Sequence, residues 1–120
     1  VAEDHLLNQM YAVMLLEKMG YRVDVVRSGL EAVEACARTR YDLVFMDVEM
    51  PDMDGLEACA LIRSGAVPGC PADVPIVALT GHTMTEDVHR FRESGMDGHL
   101  AKPVSRESFE QVVREVLNGR

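Results

Sequence analysis

Residues 43–55 read Leu43-Val44-Phe45-Met46-Asp47-Val48-Glu49-Met50-Pro51-Asp52-Met53-Asp54-Gly55. The stretch opens with an unbroken apolar run that stops abruptly on an aspartate. A strand with one wet face would alternate, so a short continuous run reads as a strand buried on both faces. Pro51 to Gly55 is turn-rich and reads as a loop. Asp54 is placed to cap a helix over residues 56–64, with Glu57 at its third position. A doubly buried strand followed by a loop and a helix is the repeating unit of an α/β sheet.

Working outward, the same unit recurs. Ile76-Val77-Ala78-Leu79 is a second buried run, ending at Thr80. The segment before it, residues 64–75, holds two Gly and three Pro and reads as a loop longer than the usual connection. Residues 98–101 form a short strand ending at Lys102-Pro103. Upstream, Val1-Ala2 looks like the end of a strand, and residues 22–26 are a short Val-rich one.

Between the strands lie helical patterns. Residues 8–19 carry Met10, Val13, Met14 and Leu16 at helical spacing, with Gly20 where a C-terminal glycine belongs. Ser28-x-x-Glu31 is a capping box opening a helix to about Arg40, and Thr83-x-x-Glu86 is another, opening a helix to about Ser94. Phe109, Val112, Val113, Val116 and Leu117 mark the last helix most clearly. Five strands alternating with five helices imply a parallel sheet with right-handed crossovers. The expected fold class is therefore α/β, three layers, with helices on both faces and a ligand site at the carboxyl ends of the strands.

Composition bounds the function. A chain of 120 residues fits one domain, 1–120, and 48% hydrophobic residues are enough for one core, built without Trp. Acidic residues outnumber basic ones 20 to 12, a formal net charge of −8 that repels a phosphate backbone, so direct nucleic-acid binding is not expected. Cys36, Cys59 and Cys70 form no C-x-x-C pair, which supports neither a zinc knuckle nor a redox dithiol, and reads as reduced thiols in a cytoplasmic protein. No apolar run reaches membrane-span length and no signal peptide is visible, so membrane contact by this domain is not expected. The chain begins at Val1 and reaches its acidic pair at once, which reads as a fragment whose first strand starts further upstream.

The chemistry comes from strand ends. Glu3 and Asp4 follow the first strand, Asp47 ends the third, Thr80 the fourth and Lys102 the fifth. Taken singly, an Asp after a strand is usually a turn former or cap, and a Lys is usually solvated. Together they deliver three carboxylates, a hydroxyl and an ammonium to one edge. Clustered carboxylates repel one another, and a hard divalent cation such as Mg²⁺ relieves this. Such a cation also neutralises an incoming phosphoryl group, with Lys102 and Thr80 placed to hold its oxygens. An aspartate can be a covalent nucleophile forming an aspartyl phosphate, and phosphoryl transfer needs mainly positioning and charge neutralisation.

At these residues the chain resembles the receiver domain of the two-component response-regulator family. The matching stretches are Val1-Ala2-Glu3-Asp4 with Asn8, Met46 to Gly55, Ala78-Leu79-Thr80 and Leu100-Ala101-Lys102-Pro103. The wording is most similar to receivers of hybrid sensor histidine kinases. The resemblance implies a flavodoxin-like sheet of strand order 2-1-3-4-5. It implies a phosphorelay in which Asp47 takes phosphate from a partner phosphohistidine, with a conformational switch or onward transfer to a histidine phosphotransfer protein. Partners would be a histidine kinase core, in cis or in trans, or that phosphotransfer protein. The domain would assist its own phosphorylation and dephosphorylation without being a turnover enzyme. A homodimer would use the face of the fourth helix, fifth strand and fifth helix.

The resemblance also assigns roles. Asp4 and Asp47 would bind Mg²⁺ (or Mn²⁺) through carboxylates, Glu49 through its backbone carbonyl, and Glu3 through a water. Thr80 and Lys102 would hold phosphoryl oxygens, helped by the N–H groups of Val48 and Gly81. The Lys102-Pro103 bond would be cis. Glu49 and His82 would flank the phosphoryl group and set its lifetime, unless both are merely solvated. Thr80 and the residue three before the lysine would form the switch. That residue is usually Tyr or Phe, but here it is His99. Two readings stand: a tolerated half-exposed substitute, or a weaker, pH-sensitive switch. His82 and His89 lack a third ligand and read as solvated, the methionines as core filler, and Cys70 as a residue of the Pro/Gly-rich loop with nothing near it to activate it.

Two other classes fit less well. An aspartate-nucleophile phosphatase of the haloacid dehalogenase type wants a second Asp where Glu49 stands, and a Thr where Pro51 stands. A flavodoxin-like binding module needs a phosphate loop after the first strand, where Glu3 and Asp4 would repel the ligand. A degenerate receiver that only docks proteins would have lost one of the acidic pair, the Asp, the Thr or the Lys.

Overall fold

A computed structural model describes residues 1–50, 52–81, 85–102 and 104–118. The helices are α1 (Leu6–Lys18), α2 (Gly29–Arg38), α3 (Gly55–Arg63), α4 (Thr85–Glu93) and α5 (Arg106–Asn118); the strands are β1 (Val44–Asp47), β2 (Ile76–Thr80) and β3 (Gly98–Ala101). His82, the capping box at Thr83 and the Lys102-Pro103 bond lie outside the described residues.

The strands are parallel in the order β1-β2-β3, with Val44 opposite Ile76, Asp47 opposite Leu79 and Thr80 opposite Ala101. The two strands expected at the start of the chain are reduced to single parallel bridges, Ala2 to Val26 and Ala2 to Met46. The bridges still put Ala2 between Val26 and β1, so the spatial order follows the expected 2-1-3-4-5.

Alternation along β1 and β2 builds the layers. Val44, Met46, Ile76 and Ala78 pack with Ala32 and Cys36 of α2, Ala58, Cys59 and Ile62 of α3, and Phe91 of α4. Phe45, Val77, Leu79 and Leu100 face the other way, against Ala12, Leu15 and Leu16 of α1 and Phe109 and Val113 of α5. Phe45 and Phe109 stack with ring centroids 4.7 Å apart. The expected three layers are therefore present, with a core on each face of the sheet.

The helix ends follow their local chemistry. Ser28 caps α2 by accepting from Glu31 N–H, and Asp54 caps α3 by accepting from Glu57 N–H. Glu31 reaches back to the N–H of Arg27 at 3.2 Å. Gly20, at φ +92°, closes α1: its N–H donates to Glu17 O and that of Tyr21 to Leu16 O, the two bonds of a Schellman motif.

One expectation for α1 fails. Met10 and Met14, read as core, are 60% and 44% exposed, and Leu6 and Leu7 are more exposed still. The segment is apolar nearly all round, so spacing could not say which side faces in. Ala12, Leu15 and Leu16 take the inner side, where the small Ala12 lets the helix approach the sheet.

Arg63, at the end of α3, pins the loops that follow. Its guanidinium donates to Gly95 O at 2.8 Å, Ala72 O at 2.8 Å, Val74 O at 2.7 Å and Asp97 Oδ2 at 2.9 Å. Asp97 Oδ2 also accepts the N–H of Ile76, the first residue of β2, at 2.8 Å. Among the described residues no helix is long and apolar enough to cross a membrane.

Candidate functional site

Backbone bonds register the acidic pair against Asp47. The N–H of Ala2 donates to Phe45 O at 2.7 Å, its carbonyl accepts the N–H of Asp47 at 2.9 Å, and the N–H of Glu3 donates to Val26 O at 3.0 Å. Carboxylate oxygens of Glu3, Asp4 and Asp47 consequently all lie within 4.8 Å of one another. Glu3 and Asp47 are buried, 1% and 2% exposed, while Asp4 is open to solvent.

Lys102 follows β3 and reaches this cluster because its N–H donates to Thr80 O at 2.8 Å, continuing the β2–β3 ladder. Its Nζ lies 2.5 Å from Asp47 Oδ2 and 3.0 Å from Glu3 Oε1. Burial works against the Lys102 charge, but the hydrogen bonds and charges of Asp47 and Glu3 outweigh it and hold the ammonium above its ordinary range. Asp47 Oδ1 accepts the N–H of Glu49 at 3.0 Å, and Glu3 Oε2 that of His5 at 3.0 Å. Glu3 Oε1 is buried, and the group it meets is the Lys102 ammonium.

The donor set suits a hard cation. Among the described residues the cluster consists of carboxylate oxygens, those of Glu3, Asp4 and Asp47, with no thiolate or imidazole beside them. Mg²⁺ or Mn²⁺ fits such a set better than a softer metal.

The other predicted residues fall into place unevenly. Thr80 ends β2 fully buried, one position past the partner of Asp47. Glu49 is exposed, and its N–H touches the Asp47 carboxylate. The N–H of Val48, implied to help hold phosphoryl oxygens, is engaged with Leu79 O at 3.1 Å. The β1–β2 ladder continues one residue past Asp47 and consumes it, so the amide at the carboxylate is that of Glu49. His99 is half-buried on β3, its ring 6.4 Å from that of Phe91. His89 is exposed.

Two contributors escaped the sequence reading. Gln9 Nε2 donates to Glu3 O at 2.5 Å, tying α1 to the acidic pair. Gly55 opens α3 directly beneath the site, where a Cβ would overlap the carbonyl oxygen of Asp47. A glycine right after a capping aspartate was the available signal for the second; the first had none.

Fold and site together define an α/β domain that presents a buried aspartate, a cluster of three carboxylates and a lysine at the carboxyl edge of its sheet. The chain belongs to the response regulator receiver domain family, whose model matches residues 1–114. Among curated relatives it is 41% identical over 111 residues to the sensor protein GacS of Pseudomonas syringae pv. syringae, covering 92% of this chain and 12% of that protein. It is 36% identical over 125 residues to hybrid signal transduction histidine kinase K of Dictyostelium discoideum, covering 100% of this chain and 10% of that one. The chain thus spans a small part of the relatives it matches. Among solved structures it resembles the receiver domain of a sensor histidine kinase from Pseudomonas aeruginosa PAO1, described with a magnesium ion coordinated in the active site cleft. That likeness has a TM-score of 0.87 and 33% identity, covering 98% of this chain and 93% of the other.

Proposed function

We propose that Asp47 accepts a phosphoryl group from a phosphohistidine on a partner protein, with Mg²⁺ or Mn²⁺ held by Asp4, Asp47 and the Glu49 carbonyl, and Glu3 in the outer sphere. The observation that carries this is the Lys102 ammonium on Asp47 Oδ2 inside a cluster of three carboxylates. In the transfer a carboxylate oxygen of Asp47 bonds to phosphorus as the phosphorus–imidazole bond breaks. When bound, the cation would offset the negative charge of carboxylate and phosphoryl group. Lys102 exchanges part of its contact with Asp47 for a phosphoryl oxygen, keeping Glu3 as its second anchor. Burial of Asp47 and Thr80 limits water at the acyl phosphate.

Relatives described as sensor proteins and histidine kinases support a phosphohistidine donor, and the magnesium of the Pseudomonas aeruginosa receiver supports the cation. The outer face of α1 supplies the surface on which that donor sits. It begins two residues after Asp4 and exposes Leu6, Leu7, Met10 and Met14 in one stripe, continuous with the edge the donor must reach. Thr80 and His99 are assigned the change of state that phosphorylation causes, and Glu49 and His82 the lifetime of the phosphate. An unchanged affinity of the phosphorylated form for its partner in His99→Tyr would remove His99 from that role, and unchanged dephosphorylation in both Glu49→Ala and His82→Ala would remove those two.

The deciding experiment incubates the chain with Mg²⁺ and a small phosphodonor and reads intact mass. A gain of one phosphate, lost in Asp47→Asn and on chelation, is expected. A gain that persists in Asp47→Asn would overturn the assignment.

A further inference from the structure

The fold brings together two cysteines that lie far apart in the sequence. Cys36 sits in the last turns of α2, 3% exposed. Cys70 lies in the loop of residues 64–75, half-buried and packed against the core cluster that contains Cys36. Cys70 is close enough to raise the Cys36 thiol, while its own thiol donates to Pro71 O at 3.6 Å. The loop backbone rests on α2 at the same place: a Cβ on Gly69 would lie 2.8 Å from Ala37 O. The neighbours of both cysteines are therefore in close approach, which brings Cys36 and Cys70 to the same seam between α2 and the loop.

We propose that Cys36 and Cys70 form a site of reversible oxidation, closing a disulfide between α2 and the loop ahead of β2 when the protein meets a peroxide. The half-buried Cys70 reacts first. Its thiolate sulfur attacks one peroxide oxygen, an S–O bond forms, the O–O bond breaks, and the departing hydroxide takes a proton to leave as water. The Cys36 sulfur then displaces the sulfenic oxygen: the S–S bond forms, the S–O bond breaks, and the proton of Cys36 leaves with the second water. Two thiols and one hydrogen peroxide give one disulfide and two waters, and a thiol reductant reverses the reaction by exchange. Burial and the neighbouring Cys70 push the Cys36 thiol up to about 12, so the more exposed Cys70 is the one that meets the peroxide first.

The third cysteine is an internal control. Cys59 is fully buried in α3 with its thiol donating to Ser94 O at 3.1 Å. The position of the pair also separates this proposal from the phosphoacceptor reading. Cys36 is near the C-terminal end of α2, and its loop partner leads into β2 at Ile76, which pairs with Val44 at the start of β1. The disulfide would close at the amino edge of the sheet, away from Asp47.

The test treats the native chain with hydrogen peroxide, alkylates it after unfolding and reads intact mass and peptide map. The expected product is a monomer that carries one alkyl group, on Cys59, and is otherwise about 2 Da lighter than the untreated chain, with Cys36 linked to Cys70 and full reversal by dithiothreitol. Cys36→Ser and Cys70→Ser should each prevent it, with circular dichroism showing that both variants fold. Alkylation of both Cys36 and Cys70 after treatment, a Cys70 sulfinic acid about 32 Da heavier beside an intact Cys36, or a linked dimer would each overturn the proposal.

Discussion

Lys102 Nζ lies 2.5 Å from Asp47 Oδ2, joining two residues 55 positions apart. The same ammonium lies 3.0 Å from Glu3 Oε1, so one cation serves two buried carboxylates. A divalent ion at the acidic cluster would act on the same two charges, so lysine and metal are electrostatically linked.

Lys102→Met should expose that linkage. It leaves Glu3 and Asp47 buried without their counter-charge, a change that costs about 3–5 kcal/mol for a fully buried pair. Because the Lys102 side chain is 24% exposed, about 1–3 kcal/mol is expected here. Millimolar Mg²⁺ should restore part of it. Urea denaturation with Mg²⁺ or with chelator reads the difference, and an equal loss in both would count against a shared role. Phosphate acceptance should fall at least about 10-fold.

Gly55→Ala should act on stability and chemistry together. The new methyl meets the Asp47 carbonyl, and backbone on both sides must shift, at a cost of about 1–3 kcal/mol. Since that carbonyl belongs to the nucleophile, phosphorylation by a small donor should slow as well. A variant as stable and as fast as the parent would show that α3 can move aside freely.

Leu7→Asp and Met10→Asp should separate donor docking from chemistry. Both side chains are exposed, 69% and 60%, so stability should change by less than about 0.5 kcal/mol. Transfer from a phosphorylated histidine partner should drop by about 10-fold or more, while phosphorylation by a small phosphodonor stays the same. Parallel loss with both donors would place the defect in the site and not in docking.

Alkaline pH should destabilise the fold. The Cys36 thiol is raised from 9.0 to about 12, foremost by burial. Above pH 9 the unfolded chain therefore releases a proton that the folded chain keeps, and stability falls as pH rises from about 9 towards 12, by at most about 1.4 kcal/mol per pH unit. Lys102 acts in the same direction at higher pH: its contribution is fully present below 10.5 and is lost as pH climbs through its raised folded value. Denaturation series at pH 8, 9 and 10 should show a shallower decline in Cys36→Ala. Identical slopes would rule out Cys36 as the source.

Much of this was legible in the sequence because it is local or topological. The runs that became β1 and β2 are continuous and apolar, Ser28 and Asp54 announce their helices, and a parallel sheet forces the strand ends to one edge. What was not legible depends on three-dimensional approach. α1 is too uniformly apolar for spacing to choose its inner face. The ladder, not the motif, decides that Val48 donates to Leu79 and leaves Glu49 at the carboxylate. The Arg63 web and the Cys36–Cys70 contact join segments that no spacing rule connects.

The partners of Asp47 come from opposite ends of the chain, Glu3 from its start and Lys102 from near its finish. During synthesis the acidic residues emerge first, and their counter-charge arrives only when β3 docks beside β2. Until then the nascent domain carries mutually repelling carboxylates on an incomplete sheet. A chain stalled before its last strand would hold the buried Asp47 carboxylate without the ammonium beside it, so the charge balance of the site is completed only with the final strand.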